Sequence, residues 1–271
     1  MLDRLRSNLD DICRAGTGAG AAVVLSTVAV NLRDSAPFAS LEDTTLAPAV
    51  RASWQRSFRD GSELAAVGRH AAARDSFLAA ARLAPHHAET RYRLGRSLLA
   101  VGDTAEAQPH FAAALEHDAL RFRTDRRLND IIRATAAAGA ADGVHLADGE
   151  AFVRAHEPSG SGLPGRELFY EQVHLTFPGN HLLARAVLPV VEDALPDRAG
   201  QRRRPAIAGP DAAACARAQA FPPRHEYDHW RQHRTLMVRY PFTAQAEHEA
   251  DLARLDRRLV ELRAGSGSEQ A

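Results

Sequence analysis

Ala22-Val-Val-Leu-Ser-Thr-Val-Ala-Val-Asn31 decides the fold class of this chain of 271 residues. The run is β-branched and apolar without polar alternation. That is the pattern of a strand covered on both faces in a parallel sheet. Before it, Leu2, Leu5, Leu9, Ile12 and Cys13 recur at helical spacing, and Gly16, Gly18 and Gly20 predict a helix stop. After it, residues 31–46 carry Pro37 and small polar side chains and predict a loop. Gly143-Val-His-Leu-Ala-Asp148 reads as a second short strand ending in an acid. A Gly/Pro-rich loop follows, Pro158-Ser-Gly-Ser-Gly-Leu-Pro-Gly165, and then a helix to about Leu195. Strand, helices, strand, loop, helix predicts an α/β fold with a partial parallel sheet.

Composition excludes several classes. The 34 basic residues balance 34 acidic ones, every basic residue being Arg, so a basic nucleic-acid-binding domain is not expected. Two cysteines, Cys13 and Cys215, are too few for a disulfide scaffold or a four-cysteine zinc module, and both read as small core or near-surface residues. The longest apolar run, Ala19 to Val30, falls short of the roughly 20 residues a spanning helix needs. The N-terminus is acidic and helix-patterned rather than signal-like, so a cytoplasmic location is expected.

Between the two strands lies an internal repeat. Gly61, Leu64, Gly68, Ala73, Phe77 and Ala80 reappear 34 positions later as Gly95, Leu98, Gly102, Ala107, Phe111 and Ala114. Gly and Ala let two helices approach, and Phe fills the gap to the next pair. Asp103 and Glu106 form a capping-box pair for the second helix of the second unit. Period and residue types together resemble the tetratricopeptide repeat (TPR). That resemblance implies a concave face able to take a protein or peptide partner. Two repeats are fewer than usually stand alone, and a helix predicted over about Leu120 to Ala137 offers Leu120, Phe122, Leu128, Ile131 and Ile132 to cover them.

The chemistry-bearing stretch is Glu171-Gln-Val-His174-Leu-Thr-Phe-Pro-Gly179-Asn180. An acid three residues before a His can hold one ring nitrogen while the other takes a proton from a hydroxyl nucleophile. The block resembles the last block of SGNH (GDSL-type) ester hydrolases. With the flanking strands and inserted repeats, residues 1–195 resemble the C-terminal portion of a bacterial SGNH-hydrolase-like family that carries TPR repeats. The resemblance implies that His174 is the general base and Glu171 its orienting acid, where the family usually has Asp. It implies an acyl-ester substrate for a completed protein and no cofactor. The family's Gly-Asp-Ser, Gly and Gly-x-Asn-Asp blocks are absent. Arg33 precedes Asp34-Ser35 where a Gly is required, and Asn129-Asp130 falls in a helical pattern and is expected on a helix surface. The expectation is a truncated hydrolase, inactive alone and exposing a sheet edge.

The domains expected are 1–53, helix plus strand of the partial α/β unit; 54–137, TPR-like hairpins; 138–195, the α/β end with the Glu-x-x-His block; and 196–271, a helical extension. The first alternative function is a TPR interaction module. The second is a zinc metallopeptidase using His225-Glu226-Tyr-Asp-His229, with His233 on the same face and Glu247 or Glu249 as third ligand. The charged neighbours Asp228, Arg231 and Arg234 speak for a solvated helix, so no metal is assigned there. The other histidines, including His86-His87, are read as surface or capping residues. Arg202-Arg203-Arg204 is read as a solvated linker.

Overall fold

The computed structural model of the protein describes residues 2–195 and 210–267. In chain order the elements are α1 (Leu2–Gly18), β1 (Val23–Ser26), α2 (Pro48–Ala66), α3 (His70–Leu83), α4 (Ala88–Ala100), α5 (Thr104–Glu116), α6 (Arg126–Ala138), β2 (Val144–Ala147), α7 (Gly149–His156), α8 (Phe177–Ala194), α9 (Ala212–Ala218), α10 (Pro223–Met237) and α11 (His248–Gly267). The chain forms two compact units, residues 1–30 with 124–222 and residues 31–123 with 223–271. Arg202-Arg203-Arg204 lies outside the described residues.

The α/β expectation holds only in coarse form. The chain is mostly helical, and among the described residues the sheet has two strands. In the first unit β1 and β2 run parallel, with Val23 opposite Val144 and Ser26 opposite Ala147. The strand expected to reach Asn31 ends at Ser26. Thr27 still donates its N–H to the Ala147 carbonyl at 3.2 Å, but the next peptide bonds a side chain instead of a strand. Cys13, Leu25, Ile132, Ala136 and Val144 form the core on this side, with Leu9, Val23 and Leu146 packed against it. Helix α1 does not stop at Gly16. A side chain there would stand 2.5 Å from Val23 Cγ2, so Gly16 lets the helix lie directly on the strand. The helix expected over 120–137 begins only at Arg126, and its Ile132 and Ala136 fill this sheet core.

In the second unit, α2 with α3 and α4 with α5 are two helical hairpins whose contacts repeat at 34 residues. Phe58 meets Phe77 edge-on at 5.9 Å, and Tyr92 meets Phe111 edge-on at 5.6 Å. A Cβ on Gly61 would stand 2.9 Å from the Phe77 ring, and one on Gly95 3.0 Å from the Phe111 ring. Ala73, Ala80, Ala107 and Ala114 are buried between the helices. Asp103 caps α5 by accepting the Glu106 N–H at 3.4 Å, whereas Arg69, at the matching place before α3, makes no side-chain cap. His87 caps α4 by accepting the Thr90 N–H at 3.2 Å.

A buried ion pair organises the loop that precedes these hairpins. Arg123 donates to the carbonyls of Asn31 at 3.1 Å and Ser35 at 2.7 Å, and to Asp118 at 3.2 Å. Asp118 in turn accepts the N–H groups of Phe38, Ala39 and Leu120. Phe38 is wedged edge-on between Phe122 and Phe242. Helices α10 and α11 pack together, with Arg234 on Asp256.

Candidate active site

The loop carrying Glu171 and His174 is fixed from both ends. On its near side, Val153, Leu168, Phe169 and Leu182 form a core that ties α7 to α8. The preceding turn is closed by Glu157, whose buried carboxylate accepts the N–H and hydroxyl of Ser159, the Ser161 hydroxyl and the Gly162 N–H. Burial works to raise the Glu157 pKa, and the combined hydrogen bonds outweigh it and hold the group below its ordinary value.

The loop closes on itself through two backbone bonds. The Tyr170 N–H donates to the His174 carbonyl at 2.8 Å, and the Thr176 N–H to the Leu168 carbonyl at 2.9 Å. Thr176 then caps α8, accepting the Gly179 N–H at 3.3 Å. A Cβ on Gly179 would stand 2.2 Å from the Leu168 carbonyl oxygen, a backbone atom that cannot swing aside. Gly179 is therefore what lets the helix start directly beneath the loop.

Glu171 points inward, its side chain only 4% exposed, while the His174 side chain is 69% exposed. The carboxylate accepts the N–H groups of Gln172 at 2.7 Å, Val173 at 3.3 Å and His174 at 2.8 Å. It also meets His174 Nδ1 in a short contact. Three peptide donors hold the carboxylate in place, so it aligns the imidazole instead of following it. With Nδ1 turned to the acid, Nε2 lies on the far side of the ring. This is the arrangement in which a carboxylate fixes the tautomer of a proton-accepting histidine. The structure thus brings together the two residues the sequence paired.

The other sequence candidates are engaged differently. Ser35 is buried and its hydroxyl lies 3.4 Å from Gln245 Nε2, while Asp34 is held by Arg33 and Arg96. A second Asp-Ser pair, Asp75-Ser76, lies within α3, with Asp75 on Arg74. On α10, Glu226 accepts from Arg258 at 2.9 Å and from Trp230 at 3.4 Å, so the position that would activate water in a zinc peptidase serves an ion pair. Among the described residues no three His, Cys, Asp or Glu converge as metal ligands. Cys13 is buried and Cys215 half-buried; burial and Asp10 push the Cys13 thiol up.

The sequence missed a polar cluster at the C-terminal ends of the strands. Thr27 donates its hydroxyl to Asp148 at 2.7 Å and accepts the Glu150 N–H at 2.9 Å. Arg133 of α6 bonds both oxygens of Asp148 at 2.9 Å and Glu150 at 2.7 Å. The Arg133 hydrogen bonds, helped by Thr27 and Ala151 and opposed by burial, bring the Asp148 pKa down to about 2. Asn129, expected on the surface, is buried at 2% exposure and bonds the backbone of Val28. The acid after β2 was the only local signal of this cluster.

Compared with family profiles, curated proteins and solved structures, the chain matches none. No described helix is long and apolar enough to cross a membrane.

Proposed function

We propose that the first unit is the base-bearing part of an SGNH-type ester hydrolase, with His174 as general base and Glu171 as its orienting acid. The observation that supports this reading is the buried Glu171 carboxylate, saturated by three peptide N–H groups and touching Nδ1 of an outward-facing His174. In such a reaction Nε2 takes the hydroxyl proton of a serine as its Oγ bonds the acyl carbon. Glu171 stabilises the imidazolium that forms, and the same proton goes to the departing alcohol oxygen. The nucleophile and oxyanion donors come from a Gly-Asp-Ser and Gly-x-Asn-Asp segment that this sequence does not contain. Without them the acyl-transfer rate is negligible. The test is p-nitrophenyl acetate turnover by the chain alone, and by the chain joined to the N-terminal half of a full-length SGNH hydrolase. We expect turnover only in the joined protein, lost at least 1000-fold in His174→Ala, on the order of what a missing triad member costs. Turnover in the joined protein that ignores His174 would refute the assignment.

A second reading, a TPR-type module that binds an extended peptide, is favoured by the groove of about 640 Å³ along the hairpins, lined by Ser62, His70, Arg93, Arg96 and Ser97 with Glu247. Loss of a bound peptide in Arg93→Ala, with turnover of the joined protein unchanged, would separate this role from the hydrolase.

A further inference from the structure

We propose that His86 and His117 form a two-point chelate for a borderline divalent transition metal, taking Cu²⁺ most tightly, then Ni²⁺ and Zn²⁺. His86 Nδ1 and His117 Nε2 lie 3.2 Å apart, with ring centroids at 4.7 Å and planes at 68°. Two metal–nitrogen bonds of about 2.0–2.1 Å at a square-planar or tetrahedral centre place their nitrogens about 2.9–3.4 Å apart. In the metal-free chain the two nitrogens share a hydrogen bond, and their separation is one a metal can span once that proton is displaced.

The spacing is set by the backbone. His86 sits in the α3–α4 connection, beside the His87 that caps α4. His117 ends α5, its N–H on the Ala113 carbonyl at 3.0 Å. His86 is exposed and His117 half-buried, which leaves room for water at the remaining coordination positions.

Charge around the pair is balanced. Asp43 lies near His86, Glu116 near His117, and Arg91 and Arg121 also face His117. Arg91 is anchored elsewhere, to the Pro85 carbonyl at 2.9 Å and His110 at 3.3 Å. With no net negative field, hard cations that depend on carboxylates gain little here, and imidazole donors decide selectivity. A bound metal would tie the end of the second hairpin to the connection between hairpins, on a surface the proposed hydrolase chemistry does not use.

The test is calorimetric and thermal titration of the full chain with CuCl₂, NiCl₂, ZnCl₂ and MgCl₂ at pH 7.5. A His225→Ala/His229→Ala background removes the α10 string as a competitor. The expected result is one Cu²⁺ per chain and a Tm raised by about 5–10 °C at metal a hundredfold above Kd. Zn²⁺ should bind more weakly and Mg²⁺ not measurably. Binding should weaken at least tenfold in either His86→Ala or His117→Gln, each first shown to melt like its parent without metal. No binding, equal binding of Mg²⁺, or binding unchanged in both variants would overturn the proposal.

Discussion

Asn129 bonds both backbone groups of Val28: the Val28 N–H donates to Oδ1 at 2.9 Å, and Nδ2 donates to the Val28 carbonyl at 3.1 Å. A primary amide carries the donor and acceptor of a peptide, so the side chain stands where a neighbouring strand would. Val28 lies two residues past the end of β1 at Ser26 and faces away from β2, which Thr27 still bonds, so Asn129 pairs the opposite edge of the chain. Asn129→Leu keeps the volume and strands both peptide groups. The expected loss is about 1–3 kcal/mol by urea melt. A loss below about 0.5 kcal/mol would mean that water replaces the amide.

The repeat packing predicts a coupling. Phe111→Ala should cost about 3–5 kcal/mol. Gly95→Ala gains helix propensity of about 1 kcal/mol but forces its Cβ against the Phe111 ring. In the Phe111→Ala background the ring is gone and the same substitution should stabilise. A double-mutant cycle should show coupling of about 1 kcal/mol or more. Strict additivity would mean that Gly95 and Phe111 do not limit each other.

Acid stability should depend on Arg133. The folded Asp148 pKa of about 2 lies below the ordinary value of 3.8. A depressed acid contributes stability above its unfolded pKa, and the contribution is lost as pH falls through the folded one. The window runs from about pH 4 to about pH 2. Urea midpoints of the parent should fall across this window more steeply than those of Arg133→Gln. Parallel curves would show that Arg133 does not hold Asp148 ionised.

Gly179→Ala probes the floor of the site. Its Cβ would collide with a backbone oxygen at Leu168, so loop or helix must shift. The expected cost is about 2 kcal/mol or more. The Tyr170 and Thr176 amides, which close the loop, should lose protection from hydrogen exchange. An Ala variant as stable as the parent, with those amides still protected, would show that the loop can be re-seated.

What the sequence displayed was local. Residues 34 apart announced the hairpins, Asp103 its cap, and an acid three before a His the dyad, because each is written in one short stretch. The missing parts join distant stretches. Nothing near Asn129 points to Val28, 101 residues away. Nothing near Arg123 announces that it holds the Asn31 and Ser35 carbonyls. The β-branched run to Val30 looked like one long strand because hydropathy records burial, not which group accepts each N–H. His86 and His117 each read as ordinary surface residues, since their contact spans 31 positions.

The central claim is that Glu171 presents His174 as a proton acceptor at Nε2. The most direct measurement is the tautomer of neutral His174, read from its ring ¹⁵N shifts and couplings at pH 8 and assigned with His174→Ala. The account predicts Nδ1–H, bonded to Glu171, with Nε2 unprotonated. Neutral His174 found as the Nε2–H tautomer would contradict it.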